Sequence, residues 1–305
     1  MPEHSAQVAE QVPERVIVGV DGSEGSIEAL RWAAHEAARR EWPLHVVTCA
    51  QLPVAVEAGM VGAGAFAGSS MDVIVKDQEA VNQRAVDLAR SLGASPKVKV
   101  SGETVLGAPA YALVSAAHEH DLLVVGATGH PGRLTDMLGS VATVVAHRAK
   151  CPIVVVRGND RADSAITRIV VGVDGSPGSD AATEWAVEEA VRCGAELVLV
   201  HGWMYPYTGA VTGLSEARDE MRLDAMRTLE TSMARVAELV PGLRCQSIIS
   251  EESAAKAVID AAGDSDLVVV GSRGRGGFRA LLLGSVSRTV VQHAPCPVAV
   301  IRTHH

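Results

Sequence analysis

The chain repeats itself. "RVIVGVDGSEGSIEALRWAAHEA" from Arg15 to Ala37 aligns with "RIVVGVDGSPGSDAATEWAVEEA" from Arg168 to Ala190, and "KCPIVVVRG" from Lys150 to Gly158 aligns with "PCPVAVIRT" from Pro295 to Thr303. A period of roughly 150 residues is the size of an ordinary domain, so the 305 residues read as two similar domains in tandem. The divisions are a tail over residues 1–14, a first domain over 15–158, a linker over 159–167 and a second domain over 168–303. The boundary falls in the polar stretch "RGNDRADSAIT", near Asp163, where no apolar period survives.

Within each half, short β-branched runs alternate with longer segments of helical period, the pattern of βαβ units. Strands are expected at Val16–Val20, Leu44–Cys49, Val98–Val100, Leu122–Val125 and Ile153–Val156, then at Ile169–Val173, Leu197–His201, Cys245–Ile249, Leu267–Val270 and Val298–Ile301. Near-continuous Val, Leu and Ile runs imply sheets covered on both faces. A content of 48% hydrophobic but only 3% aromatic residues suits aliphatic strands under Ala-rich helices. The expected fold is α/β: two doubly wound domains, each with a five-stranded parallel sheet. Trp32 and Trp185, at matching helix positions, read as core anchors. The halves differ after the second strand: the first has a long Gly/Ala-rich segment, Gln51–Met71, that reads as a surface insertion or a lid, and the second has the shorter Gly202–Ser215.

A net charge of -9 argues against nucleic acid as the main partner, since phosphate contacts need clustered Lys and Arg. Five scattered cysteines without a CxxC read as reduced thiols, and no apolar run approaches the ~18 residues needed to span a bilayer. The start "MPEHSAQVAEQVPER" lacks the basic-then-apolar pattern of an export signal, so the expectation is a cytoplasmic protein with no membrane insertion.

In open parallel sheets, ligands bind beyond the carboxyl ends of the strands where strand order reverses. The segments at that place are "DGS" at Asp21 and Asp174, and two loops that follow the fourth strands, "GATGHPGRLTDMLGS" (Gly126–Ser140) and "GSRGRGGFRALLLGS" (Gly271–Ser285). Glycines let backbone N–H groups approach a ligand, and a following helix N-terminus offers unpaired donors with a favourable dipole. Each loop then reads as a phosphate cradle. The competing reading is a turn in which Ser140 or Ser285 merely caps a helix. Two copies at equivalent places favour the cradle. Asp21 and Asp174 have the same two readings: a helix cap, or an acceptor for the nucleoside or for a phosphate-bound cation.

The loops lack the Lys of a G-x-x-x-x-G-K-[ST] site, and no G-x-G-x-x-G follows the first strand. Arg133 is the cation of the first loop, whereas Arg273, Arg275 and Arg279 make the second more electropositive. His118 and His120 read as a solvated helix end rather than a metal site, and Cys151 and Cys296, each before Pro, as small buried residues. No nucleophile, base and orienting partner stand together, so a binding site is more legible than a reaction.

These residues resemble those of universal stress proteins, in tandem. "VGVDGS" opens each half, both loops match the G-x-x-G-x(9)-G-[ST] signature of the ATP-binding branch, and "CPIVVV" and "CPVAVI" close the domains, so the likeness runs from Arg15 to Arg302. The resemblance implies Rossmann-like domains of strand order 3-2-1-4-5, paired through their last strands within the chain or in a homodimer. It implies one adenine nucleotide per domain, ATP with or without Mg²⁺, in a stress-response regulator or sensor. The residues carried over for the first site are Gly19, Val20, Asp21, Cys49, Gly126, Gly129, His130, Gly139, Ser140 and Val141. Those for the second are Gly172, Val173, Asp174, Gly202, Gly271, Arg273, Gly274, Arg275, Gly284, Ser285, Val286 and Ser287. The hydroxyl of Ser287 has no counterpart at Ala142, and His130 stands where the second loop has Arg275. A slow Mg²⁺-dependent ATP hydrolase or phosphotransferase is the alternative, with His130 as its candidate base.

Overall fold

The computed structural model describes residues 14–51, 69–92, 98–129, 138–157, 165–204, 214–263, 265–275 and 283–303. Among these, the first half contains β1 (Val16–Gly19), α1 (Glu24–Arg40), β2 (Leu44–Ala50), α2 (Ser69–Ser91), β3 (Val100–Leu106), α3 (Pro109–Ala116), β4 (Leu122–Gly126), α4 (Ser140–Arg148) and β5 (Ile153–Val156). The second half repeats the order with β6 (Arg168–Gly172), α5 (Pro177–Cys193), β7 (Glu196–Gly202), α6 (Leu214–Leu239), β8 (Cys245–Ser250), α7 (Ala254–Ala261), β9 (Leu267–Gly271), α8 (Ser285–His293) and β10 (Val298–Ile301).

The ten strands form one sheet, in the order β3-β2-β1-β4-β5-β10-β9-β6-β7-β8. Each half is parallel within itself and has the order 3-2-1-4-5. The halves join where β5 and β10 pair antiparallel, with Val155 opposite Val298 and Ile153 opposite Val300. The central strands are buried over most of their length, as their uninterrupted apolar runs require, with α1, α2, α5 and α6 on one face and α3, α4, α7 and α8 on the other.

One strand differs from expectation. β3 spans Val100–Leu106 rather than residues 98–100. Among the described residues it is an outer strand paired only with β2, and its sequence "VSGETVL" keeps Gly102, Glu103 and Leu106 exposed, so the apolar-run signal is missing. The insertions Gln51–Met71 and Gly202–Ser215 fall largely on residues outside those described.

The α1–α5 contact holds a buried ionic cluster at the junction of the halves. Glu36 and Glu189 occupy equivalent positions and are both fully buried. Arg40 bridges them, Nε to Glu36 and Nη2 to Glu189 at 2.5 Å, while its guanidinium lies over Trp42 and Trp185 at 4.8 and 5.3 Å from their ring centres. Arg39 adds a bond to Glu36 at 2.6 Å and Arg192 one to Glu189 at 2.5 Å. Trp32 is buried in the core, whereas its counterpart Trp185 is partly exposed at this cluster.

Candidate functional site

Each half brings three backbone features together beyond the carboxyl ends of its inner strands. The first is the turn after β1 or β6. Val20 N–H donates to Val47 O at 2.9 Å, and Val173 N–H to Val200 O at 2.9 Å, which extends the sheet pairing one residue past Gly19 and Gly172. The chain then turns sharply, with Gly22 at φ 83° and Gly175 at φ 72°, a left-handed conformation that glycine adopts without cost. The helix caps are Ser23 and Ser176, whose hydroxyls accept from the N–H groups of Ser26 and Ser179 at 3.3 and 3.2 Å. Asp21 and Asp174 are therefore not the caps.

Their carboxylates serve the turn and face the glycine loop. Asp21 Oδ1 accepts from the N–H of Ser23 at 3.0 Å and from its hydroxyl at 2.5 Å. Its Oδ2 lies so near Gly129 that a Cβ there would stand 3.2 Å away. In the second half, Asp174 Oδ1 accepts from Ser176 N–H and Oδ2 from Arg275 N–H, both at 3.0 Å. Burial opposes the charge of Asp174, but these donors, with the hydroxyls of Ser176 and Ser179, outweigh it and hold the carboxyl below its usual range.

The second feature is the root of the loop. Gly126 passes so close to α1 that a Cβ would stand 2.6 Å from the carbonyl oxygen of Gly25, and at Gly271 one would stand 2.5 Å from that of Gly178. Gly25 and Gly178 in turn have room for no Cβ against the carbonyls of Thr128 and Arg273. These glycines thus seat the loop against the first helix. Gly25 and Gly178 were not among the expected site residues, although the paired "DGSEGS" and "DGSPGS" of the openings carried the signal.

The third feature is the helix that the loop leads into. Gly139 N–H donates to Ala127 O at 2.7 Å and Gly284 N–H to Ser272 O at 2.8 Å, which folds each loop back on its root. The N-cap positions of α4 and α8 are Gly139 and Gly284, and neither helix has a side-chain cap bond from the described residues. Ser140 and Ser285 are the first helical residues and are exposed, so their hydroxyls stand at the opening of the helix instead of closing it. Val286 is exposed beside Ser285, and Val141 is partly buried.

The expected residues divide accordingly. Asp21, Gly129, Gly139 and Ser140 belong to one arrangement, and Asp174, Gly274, Arg275, Gly284 and Ser285 to its twin. Ser287 differs from expectation: it is buried, and its hydroxyl donates to Gly271 O at 2.6 Å, so it braces the loop root and does not face the opening. Ala142 fills the same buried place in the first half. Cys49, at the end of β2, is half-buried, and burial with the nearby Glu103 pushes its thiol up to about 11. Gly202, at the end of β7, is required by the approach of α7, since a Cβ would stand 2.7 Å from Ala254 Cα. His201 Nδ1 donates to Val173 O at 2.7 Å, whereas Thr48, its counterpart, accepts from Asn82 at 3.1 Å. His130, Arg133 and Arg279 lie outside the described residues.

The arrangement fits an anionic group at the helix N-terminus and a hydroxyl-bearing group at the Asp. Arg275, half-exposed and 3.5 Å from Asp224, adds positive charge to the second half. No group of three metal-binding side chains occurs among the described residues, His118 and His120 included, and both histidines are exposed. Cys151 and Cys296 are buried, and burial pushes the Cys151 thiol up to about 12. No helix among the described residues is long and apolar enough to cross a membrane.

Comparison with known proteins agrees with the duplicated geometry. The universal stress protein family matches residues 13–157 and again 165–302. A universal stress protein of Mycobacterium tuberculosis is 34% identical over 290 residues, covering 94% of this chain and 96% of the relative. A second from that organism is 33% identical over 298 residues with the same coverage. Among solved structures, a universal stress protein from Archaeoglobus fulgidus superposes with a TM-score of 0.67 at 21% identity, covering 94% of this chain and 98% of that one, a likeness of fold. The chain belongs to the universal stress protein family, with one family domain in each half.

Proposed function

We propose that the chain binds one adenine nucleotide in each half, ATP in the first instance, and acts as a nucleotide-dependent regulator or sensor of the stress response. The observation that carries this reading is the pair of helices, α4 and α8, that open on glycine with no side-chain cap directly beside a glycine loop and an Asp. Phosphate oxygens would take the N–H groups of the first helical turn with the hydroxyls of Ser140 and Ser285, and ribose hydroxyls would donate to Asp21 and Asp174. Mg²⁺ would accompany the phosphates as a counter-ion. Val20, Cys49, Val173 and Gly202, at the ends of the neighbouring strands, would border the adenosine. Because β5 and β10 already pair within the chain, assembly into a homodimer would use other surfaces.

Replacing Ser140 and Ser285 together by Asp tests this reading. A carboxylate at a helix N-terminus stabilises the helix but repels phosphate, so folding should persist while ATP affinity in equilibrium dialysis falls at least 10-fold. Retention of wild-type affinity, or no ATP bound by the wild type, would sink the proposal. Steady ATP turnover abolished by His130→Ala would replace the regulator with the hydrolase reading.

A further inference from the structure

The two loop sites are joined by a circuit of hydrogen bonds and helix backbone that crosses the junction twice. In each half an Arg follows the last strand, Arg157 after β5 and Arg302 after β10. Because those strands run antiparallel, the end of one lies beside the helix that leads into the other. Arg302 Nη2 donates to Ala146 O in the last turn of α4 at 2.7 Å. Arg157 Nη2 donates to Val291 O and Gln292 O in the last turn of α8 at 3.2 and 2.5 Å. These are carbonyls that a helix leaves unpaired, and a cation there also complements the helix dipole.

Each Arg is anchored to the loop of its own half. Ser272 N–H donates to Ile301 O at 2.7 Å and Ser272 O accepts from Gly284 N–H, so Arg302 stands beside the root of the second loop. Ala127 N–H donates to Val156 O at 2.7 Å and Ala127 O accepts from Gly139 N–H, so Arg157 stands beside the root of the first. The route from the second loop thus runs through Arg302 along α4 to Gly139 and Ser140, then through Val156 and Arg157 along α8 back to Gly284 and Ser285.

We infer that Arg157 and Arg302 are positioning residues that couple the two sites, so that an anion held by one loop strengthens the helix N-terminus that serves the other. The inference rests on the nucleotide reading above. Its direction follows from charge. Burial and the neighbouring Arg273 disfavour the charged form of Arg302, and the partial burial of His147 on α4, with Arg302 and Arg288, pushes that imidazole below its usual pKa. The Arg302 Nε atom is buried without a hydrogen-bond partner among the described residues. Arg273 therefore repels the guanidinium that holds α4. A phosphate in the second loop offsets the charge of Arg273, favours the Arg302–Ala146 contact over its release, and so supports the helix dipole that faces the first site. Coupling is accordingly positive.

Calorimetric titration of the full chain with ATP tests it. The wild type should bind two nucleotides, the second about 5-fold more tightly than independent sites would allow. Arg302→Gln and Arg157→Gln should each return the isotherm to independent sites, and Arg302→Lys, which keeps a charged donor, should retain part of the coupling. Two independent constants in the wild type, a result that needs no variant to fold, would overturn the coupling while leaving nucleotide binding in each half intact, whereas a single nucleotide per chain would overturn both the coupling and the two-site reading. Cooperativity unchanged in both Gln variants overturns it as well. Absence of any ATP binding removes the nucleotide reading itself, and the coupling with it.

Discussion

Arg40 bridges the two equivalent glutamates and has no counterpart, because its equivalent in the second half is Cys193. One guanidinium therefore serves both buried glutamates. Burial raises Glu36, but Arg40 and Arg39 outweigh it and hold its carboxyl below the usual range. Burial and the nearby charge of Glu36 push Glu189 the other way, against Arg40 and Arg192. Removing Arg40 leaves two buried carboxylates without the cation between them, with Arg39 and Arg192 at their outer edges. Arg40→Met should thus destabilise the chain by about 3–5 kcal/mol, the usual consequence of breaking a buried ion pair on one side. Chemical denaturation at neutral pH measures the change, and a loss under about 1 kcal/mol would mean that the outer arginines suffice. The cluster was invisible in the sequence: "HEAARR" and "EEAVRC" are ordinary amphipathic helix text, and only the pairing of the halves turns their charges inward.

At the scale of elements, the inner strands were legible because burial on both faces leaves an unbroken apolar run, as in "VIVG" and "LVVVG". β3 was not, because an edge strand carries polar residues on its open side. The glycine loops were legible as a motif but not as a division of labour. Spacing alone assigns every glycine to the ligand, whereas Gly126 and Gly271 meet the backbone of α1 and α5, and Gly129 faces the Asp21 side chain. Ser287, taken as a ligand residue by its place in the motif, proves to be a buried brace, which periodicity on α8 would have indicated. Gly126→Ala should accordingly cost about 1–3 kcal/mol of stability, since backbone on both sides must shift. Gly129→Ala, against a single carboxylate oxygen, should cost clearly less. Denaturant midpoints of the two variants give the comparison, and equal losses would refute this assignment.

At the scale of the molecule, duplication explains why the sheet closes where it does. β5 and β10 are four-residue apolar strands, "IVVV" and "VAVI", buried along their whole length. Each ends the parallel order of its half, so separation of the halves would expose an apolar edge with unpaired N–H and C=O groups. In the intact chain the two edges satisfy each other, and the antiparallel register makes the contact nearly isologous although the two sequences differ. A chain of residues 1–158 therefore has the means to pair with a second copy of itself through β5, as does one of residues 165–305 through β10. Both are expected to sediment as dimers at micromolar concentration, and the mixed pair to form in preference, because Arg40, present only in the first half, serves Glu189 of the second. Analytical ultracentrifugation of each half and of the mixture checks this. Monomeric halves would show that the junction depends on covalent linkage and not on strand pairing. Homodimers that resist mixing would show instead that the Arg40 cluster contributes little to partner choice.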